Sequence, residues 1–125
     1  MISFNSVCLI TRDLPGLRDF YRRVLRVAPE GDETFAVFGT AGAQLTVFIA
    51  QGMEQMAPGS TAGAGRGGSV LEFEVEDVDQ EHARLLALGV PIVKPPTTQP
   101  WGLRSVWFRD PEGNLVNFYA PVDGG

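Results

Sequence analysis

The sequence predicts an α+β fold made by duplication: two tandem βαβββ modules forming a curved, cup-shaped mixed sheet with helices on the convex face. Three observations lead there. Segments with the two-residue period of strands alternate with segments at helical spacing. The run SVCLITRDLPGLRDFY matches VLEFEVEDVDQEHARL when Asp13-Leu14 is laid on Asp77-Val78, an offset of about half the chain. Finally, Leu103–Arg109 and Asn114–Ala120 flank Asp110-Pro111-Glu112-Gly113, where Asp bonds its own backbone, Pro fixes φ and Gly allows φ > 0, as a hairpin requires.

Taken in order, Ser3–Thr11 reads as a strand, with Val7, Leu9 and Thr11 on one face and Ser6, Cys8 and Ile10 on the other. Asp13 suits an N-cap and Pro15 the first turn of a helix over Pro15–Leu25. Its apolar stripe is Leu17, Phe20, Tyr21, Val24 and Leu25, with Arg18, Arg22, Arg23 and Arg26 as the solvated side. A weak strand signal covers Arg26–Pro29. Thr34–Phe38 and Ala43–Ala50 are strands; Leu45, Val47 and Ile49 oppose Gln44, Thr46 and Phe48 on the latter. Module one thus covers about residues 1–50.

Residues 51–68, rich in Gly and Ala and without periodicity, read as a mobile linker, with a lid carrying Met53 and Met56 as the alternative. Module two, about 69–125, opens with strand Ser69–Val75, where Leu71, Phe73 and Val75 face a core and Val70, Glu72 and Glu74 face away. Asp77 caps a helix over Val78–Leu88, with Leu85, Leu86 and Leu88 as its apolar side, and Gly89 ends it. A short strand, Val90–Lys94, precedes the hairpin. If Arg109 pairs with Leu115, Trp107 stands opposite Asn117 and Ser105 opposite Tyr119. That face then mixes Trp, Asn, Ser and Tyr, which fits a ligand as well as it fits an exposed face or a dimer contact.

The 125 residues suffice for one domain with a real core, and 44% hydrophobic content comes without an apolar run of membrane-spanning length. A net charge of −5 argues against a nucleic-acid partner, which needs clustered positive charge. The N-terminus carries no export pattern, and the single cysteine, Cys8, excludes an internal disulfide; both fit a cytoplasmic protein. Cys8 reads as a small packing residue rather than a nucleophile.

The duplicated module, RDLPGLRDFYRRVL, FEVEDVDQEHARLLALGV and the ending RDPEGNLVNFYAP together resemble the vicinal oxygen chelate superfamily, also called the glyoxalase/bleomycin resistance/dioxygenase fold. Gln99-Pro100-Trp101-Gly102 beside RDPEGN is similar to its bleomycin-resistance-type members. The resemblance implies a cup shared by the two modules, usually in a homodimer. In family enzymes four His, Glu or Gln side chains hold a divalent metal there. Carried over by position, these fall on Ser6, Gln44, Val70 and Asn117. Val70 has no donor atom, Ser6 and Asn117 are weak neutral ligands, and the only histidine, His82, lies on the second helix. The expectation is therefore no metal and no other cofactor.

What remains is a lining of Ser6, Cys8, Gln44, Thr46, Phe48, Val70, Glu72, Glu74, Trp107, Asn117 and Tyr119, with Trp101 at the rim. Aromatic surface with polar handles suits a small-molecule site. The reading that follows is a metal-free binding protein for an aromatic or cationic compound, without nucleic-acid or membrane partners. A metal-independent lyase or isomerase using Glu72 as general base is the alternative, and an interaction module burying the aromatic face is a third.

Overall fold

The computed structural model describes residues 1–63 and 68–122. The chain divides into two compact units, residues 1–66 and 67–125, each a four-stranded mixed sheet with its own helix. The expected doubling of a βαβββ module is present in the connectivity.

In the first unit β1 (Ser6–Thr11) leads into α1 (Leu14–Leu25), then β2 (Glu30–Gly31), β3 (Phe35–Phe38) and β4 (Gln44–Ile49). The sheet order is β1-β4-β3-β2, with β1 and β4 parallel and the other pairs antiparallel. Asp13 caps α1 by accepting a hydrogen bond from the Gly16 amide at 3.1 Å. Leu14, Leu17, Tyr21 and Val24 recur at helical spacing and are buried with Phe38 and Val47. The Tyr21 ring meets Phe20 and Phe38 edge-on, with centroids 5.1 and 6.2 Å away. Such contacts favour edge-to-face packing, because the positive ring edge meets the negative face. Arg22, Arg23 and Arg26 are exposed and Arg18 is half-buried; Arg22 and Arg23 both pair with Asp19.

The second unit repeats the plan: β5 (Val70–Glu74), α3 (Val78–Ala87), β6 (Ile92–Thr98), β7 (Leu103–Arg109) and β8 (Leu115–Pro121), in sheet order β5-β8-β7-β6. Asp77 accepts from the Gln80 amide at 3.1 Å, as Asp13 does in α1. Gly89 follows α3 at φ 76°, where its amide reaches the Leu86 carbonyl and that of Val90 reaches Leu85, so the last carbonyls of the helix are satisfied. Val78 and Leu85 carry the helix onto Leu71, Val106, Phe108, Val116 and Phe118, which form the buried core. Leu86, expected on the apolar side, is exposed: it sits one residue round the helix from Leu85 and turns away from the sheet.

Strand β1 begins at Ser6 rather than Ser3, several other ends shift by a residue, and three segments differ more substantially from expectation. The 51–68 segment does not begin as a structureless linker but as helix α2 (Ala50–Met56), between β4 and β5. Gly52 is the residue that permits this, because a Cβ there would stand 2.8 Å from the Phe48 ring. Beyond α2, both carboxylate oxygens of Glu54 hold the turn, accepting from the amides of Gly59 and Thr61 and from the Thr61 hydroxyl. Residues 64–67 of the expected linker lie outside the described residues. Second, β6 runs on through Pro95-Pro96 to Thr98; it is an edge strand with register shifts, where a missing N–H is tolerated. Third, the weak signal at Arg26–Pro29 becomes a two-residue strand just beyond it, at Glu30–Gly31. No helix among the described residues is long and apolar enough to cross a membrane.

Candidate functional site

The hairpin register is the expected one: Arg109 pairs with Leu115, Trp107 with Asn117 and Ser105 with Tyr119. Paired residues of neighbouring strands project to the same face of a sheet. Register therefore builds rows across the second unit. One row runs Glu72 on β5, Asn117 on β8, Trp107 on β7 and Lys94 on β6. The next runs Glu74, Tyr119, Ser105 and Thr97. Val70 pairs with Leu115 in the row before, and its side chain is about half exposed, at 49%.

The centre of this face is Asn117. It is only 4% exposed, although it points away from the Val116 and Phe118 core side. Its Nδ2 donates to Glu72 Oε2 at 3.1 Å. That orientation follows from chemistry, since a carboxylate can only accept and the amide nitrogen is the donor end. The amide oxygen Oδ1 is consequently turned from Glu72; it is shut off from solvent and, among the described residues, has no hydrogen-bond partner. A buried, unpaired acceptor costs about 1–3 kcal/mol. Glu72 itself is exposed, Trp107 and Tyr119 are half-buried, and Ser105 is buried. Trp101 lies off the sheet in the turn before β7 and is 70% exposed.

In the first unit Ser6 pairs with Gln44, Cys8 with Thr46 and Ile10 with Phe48, so these residues share the face opposite the core. Ser6 and Gln44 are exposed. The Thr46 hydroxyl donates to the Val7 carbonyl at 3.3 Å. Cys8 is exposed on this face, not packed in a core, because its strand position alternates with buried Leu9. The two parallel registers also refine the correspondence between modules. Ser6 stands beside Gln44 as Val70 stands beside Leu115, so the counterpart of Asn117 in the first unit is Thr46, two positions beyond Gln44.

The four positions assigned to metal ligation thus offer a serine hydroxyl, a neutral amide or threonine hydroxyl, an alkyl group and an asparagine amide. These do not fit a divalent ion that takes imidazole or carboxylate ligands. Among the described residues no three His, Cys, Asp or Glu side chains converge on one point. His82 is half-buried on α3.

Sequence reasoning missed an open cleft of about 450 Å³ in the first unit, lined by Thr11, Arg12, Ile49, Ala50, Gln51, Glu54 and Thr61. It exists because α2 follows β4 directly, which the composition of 51–68 did not signal. Its polar groups are largely committed: Glu54 holds the turn at Gly59 and Thr61, and Thr11 Oγ1 accepts from the Asp13 amide. The face of the second unit holds, among the described residues, a buried acceptor without a partner, Asn117 Oδ1, and it is the stronger candidate.

Comparison with known proteins identifies the fold family. The model of the Glyoxalase/Bleomycin resistance protein/Dioxygenase superfamily matches residues 3–118. The chain is 27% identical over 121 residues to the uncharacterized protein YraH of Bacillus subtilis (strain 168), covering 91% of this chain and 94% of that one. Among solved structures, a glyoxalase/bleomycin resistance protein/dioxygenase from Nocardioides is 26% identical at a TM-score of 0.81, covering 100% of this chain and 87% of that one. A lactoylglutathione lyase from Agrobacterium tumefaciens, 24% identical with a TM-score of 0.76 over 94% of this chain and 92% of its own, shares the fold.

Proposed function

This chain belongs to the glyoxalase/bleomycin resistance protein/dioxygenase superfamily, and on that premise we propose that it binds a small aromatic or cationic molecule without a metal, to sequester or carry it. The observation that carries the reading is the amide oxygen of Asn117, buried and without a donor among the described residues. A ligand N–H or O–H placed there recovers a hydrogen bond that the free protein lacks. Support comes from its surroundings: the carboxylate of Glu72, the indole of Trp107 and the ring of Tyr119 offer charge attraction and flat apolar contact on one face. The absence of a fitting donor set at Ser6, Gln44, Val70 and Asn117 supports a metal-free mode. The reading takes the protein to be a cytoplasmic homodimer, as the resemblance and the single cysteine suggest.

One observation favours a second reading. Glu72 is exposed and among the described residues its only hydrogen bond uses Oε2, which leaves Oε1 to take a proton from a bound substrate. Glu72 would then serve a metal-independent lyase or isomerase as general base. Turnover distinguishes the two.

The test is a titration of metal-stripped protein with cationic and aromatic drugs, bleomycin among them, followed by tryptophan fluorescence with and without Zn²⁺, Ni²⁺ or Mn²⁺. Saturable quenching without metal and without product is the expected result. Binding that appears only when metal is added would overturn the proposal.

A further inference from the structure

The row through Asn117 has a direction of charge. Across the sheet it reads carboxylate, amide, indole, ammonium, from Glu72 to Lys94. Among the described residues Glu72 bonds only Asn117, and Lys94 has no ion-pair partner. A cation laid along this row is drawn to the Glu72 end and repelled from the Lys94 end.

Asn117 narrows the chemistry further. Because its nitrogen is committed to Glu72, what it presents to a ligand is an acceptor alone. The free oxygen of Glu72 is a second acceptor on the adjacent strand. A ligand hydroxyl brings a single donor to this pair. A neutral primary amide brings one donor group and an acceptor that meets a carboxylate unfavourably. A planar amidinium or guanidinium brings several N–H donors in one plane, carries the charge that Glu72 attracts, and lies flat on aromatic rings. The next group in the row is an indole.

Resting on the binding reading above, we propose that this face selects a planar organic cation of the arylamidinium or arylguanidinium class. Its N–H groups donate to Asn117 Oδ1 and to Glu72, its aryl group lies against Trp107, and the row holds it in one orientation, charge away from Lys94. Since Oδ1 is closed to solvent, seating the cation shifts the side chains over it. The half-buried indole of Trp107, directly paired with Asn117, reports that shift.

The experiment titrates metal-stripped protein with benzamidine, benzamide and benzyl alcohol, reading indole fluorescence and the ¹⁵N signals of the Asn117 side-chain amide. Benzamidine is expected to bind at least about tenfold more tightly than the neutral probes, a difference of about 1.4 kcal/mol, and to move the Asn117 signals. Glu72→Gln, at an exposed position, is expected to weaken benzamidine about tenfold and leave the fold intact; Lys94→Gln is expected to tighten it. Equal binding of all three probes with unmoved Asn117 signals overturns the class of ligand while leaving the face a binding site. Unchanged benzamidine affinity in both Glu72→Gln and Asn117→Leu overturns it too. If neither these probes nor the wider drug panel binds, the binding reading itself has failed.

Discussion

Arg104 on β7 grips Asp79 in the first turn of α3 through two parallel hydrogen bonds, Nε to Oδ2 at 2.9 Å and Nη2 to Oδ1 at 2.8 Å. Its third nitrogen donates to Thr98 on β6 at 3.0 Å, so one guanidinium ties a helix to two strands. The hydrogen bond from Arg104 is the main cause that holds Asp79 below its ordinary 3.8.

The sign of the pH effect follows. A carboxyl whose folded pKa is depressed adds stability above its unfolded pKa and loses it as pH falls through the folded value. Arg104→Ala should therefore lower the urea midpoint at pH 7, and the gap from the parent protein should close as the pH drops below 3.8. Both side chains are partly exposed, so the effect at pH 7 is small. A gap that is unchanged at pH 3 would refute this account.

A second prediction concerns the turn of the final hairpin. Asp110 is 5% exposed and accepts from the amides of Glu112 and Asn114 and from Asn114 Nδ2, each at 2.9 Å. Asp110→Ala leaves these donors unpaired and should cost about 3 kcal/mol, with Asp110→Asn costing less because one oxygen remains. Equilibrium denaturation measures both.

Phe118 tests the separation of the two faces of β8. Its ring lies 5.9 Å from that of Phe73 and 5.0 Å from that of Phe108, both edge-on, and it is 2% exposed. Phe118→Ala should cost about 3–5 kcal/mol. Phe118→Leu should cost less and leave ligand affinity within about twofold, because Phe118 and Asn117 project to opposite faces.

Glu54 should control the order of the chain that follows α2. Its carboxyl is held below the ordinary 4.5, mainly by the Thr61 hydroxyl and then by the amides of Gly59 and Thr61. Glu54→Gln or acidification below 4.5 should lower the protection of those two amides, taken as exchange relative to an unstructured chain at the same pH, while the protection of the β4 amides is kept. Protection that survives the substitution would show that the turn does not depend on this carboxylate.

Chelation offers a fifth check. With Val70 lacking a donor atom and Ser6 and Asn117 offering neutral oxygen, neither EDTA nor added Zn²⁺ should move the thermal midpoint, since only a ligand that prefers the folded state raises it. A rise of several degrees on adding Zn²⁺ would contradict the donor argument.

The elements that the sequence revealed were those written locally. The Asp13 and Asp77 caps, Gly89 and the Asp110–Gly113 turn each act within a few residues, and each stands where its chemistry required. The hairpin register followed from that turn, so the pairing of Trp107 with Asn117 was legible. The α2 helix was not, because Gly52 is there for the Phe48 ring, a contact that composition does not encode. The bond between Asn117 and Glu72 was also hidden. It depends on the parallel register of β5 and β8, which no turn sets and which joins residues 45 positions apart. Glu72, Glu74, Trp107, Asn117 and Tyr119 were thus legible on the face, whereas Lys94 and Thr97, which join it through the shifted register of β6, and the orphaned amide oxygen at its centre were not.

The Pro95-Pro96 pair in β6 has a consequence for life at high concentration. An outer strand with regular free amides invites a stray strand from another molecule to add on and grow a fibril. Here two successive residues have no hydrogen to give, and shifted pairing on both sides of Lys94 bends the rail on which such growth would start. The protein can carry a β-rich sequence to its rim and still discourage polymerisation from that side.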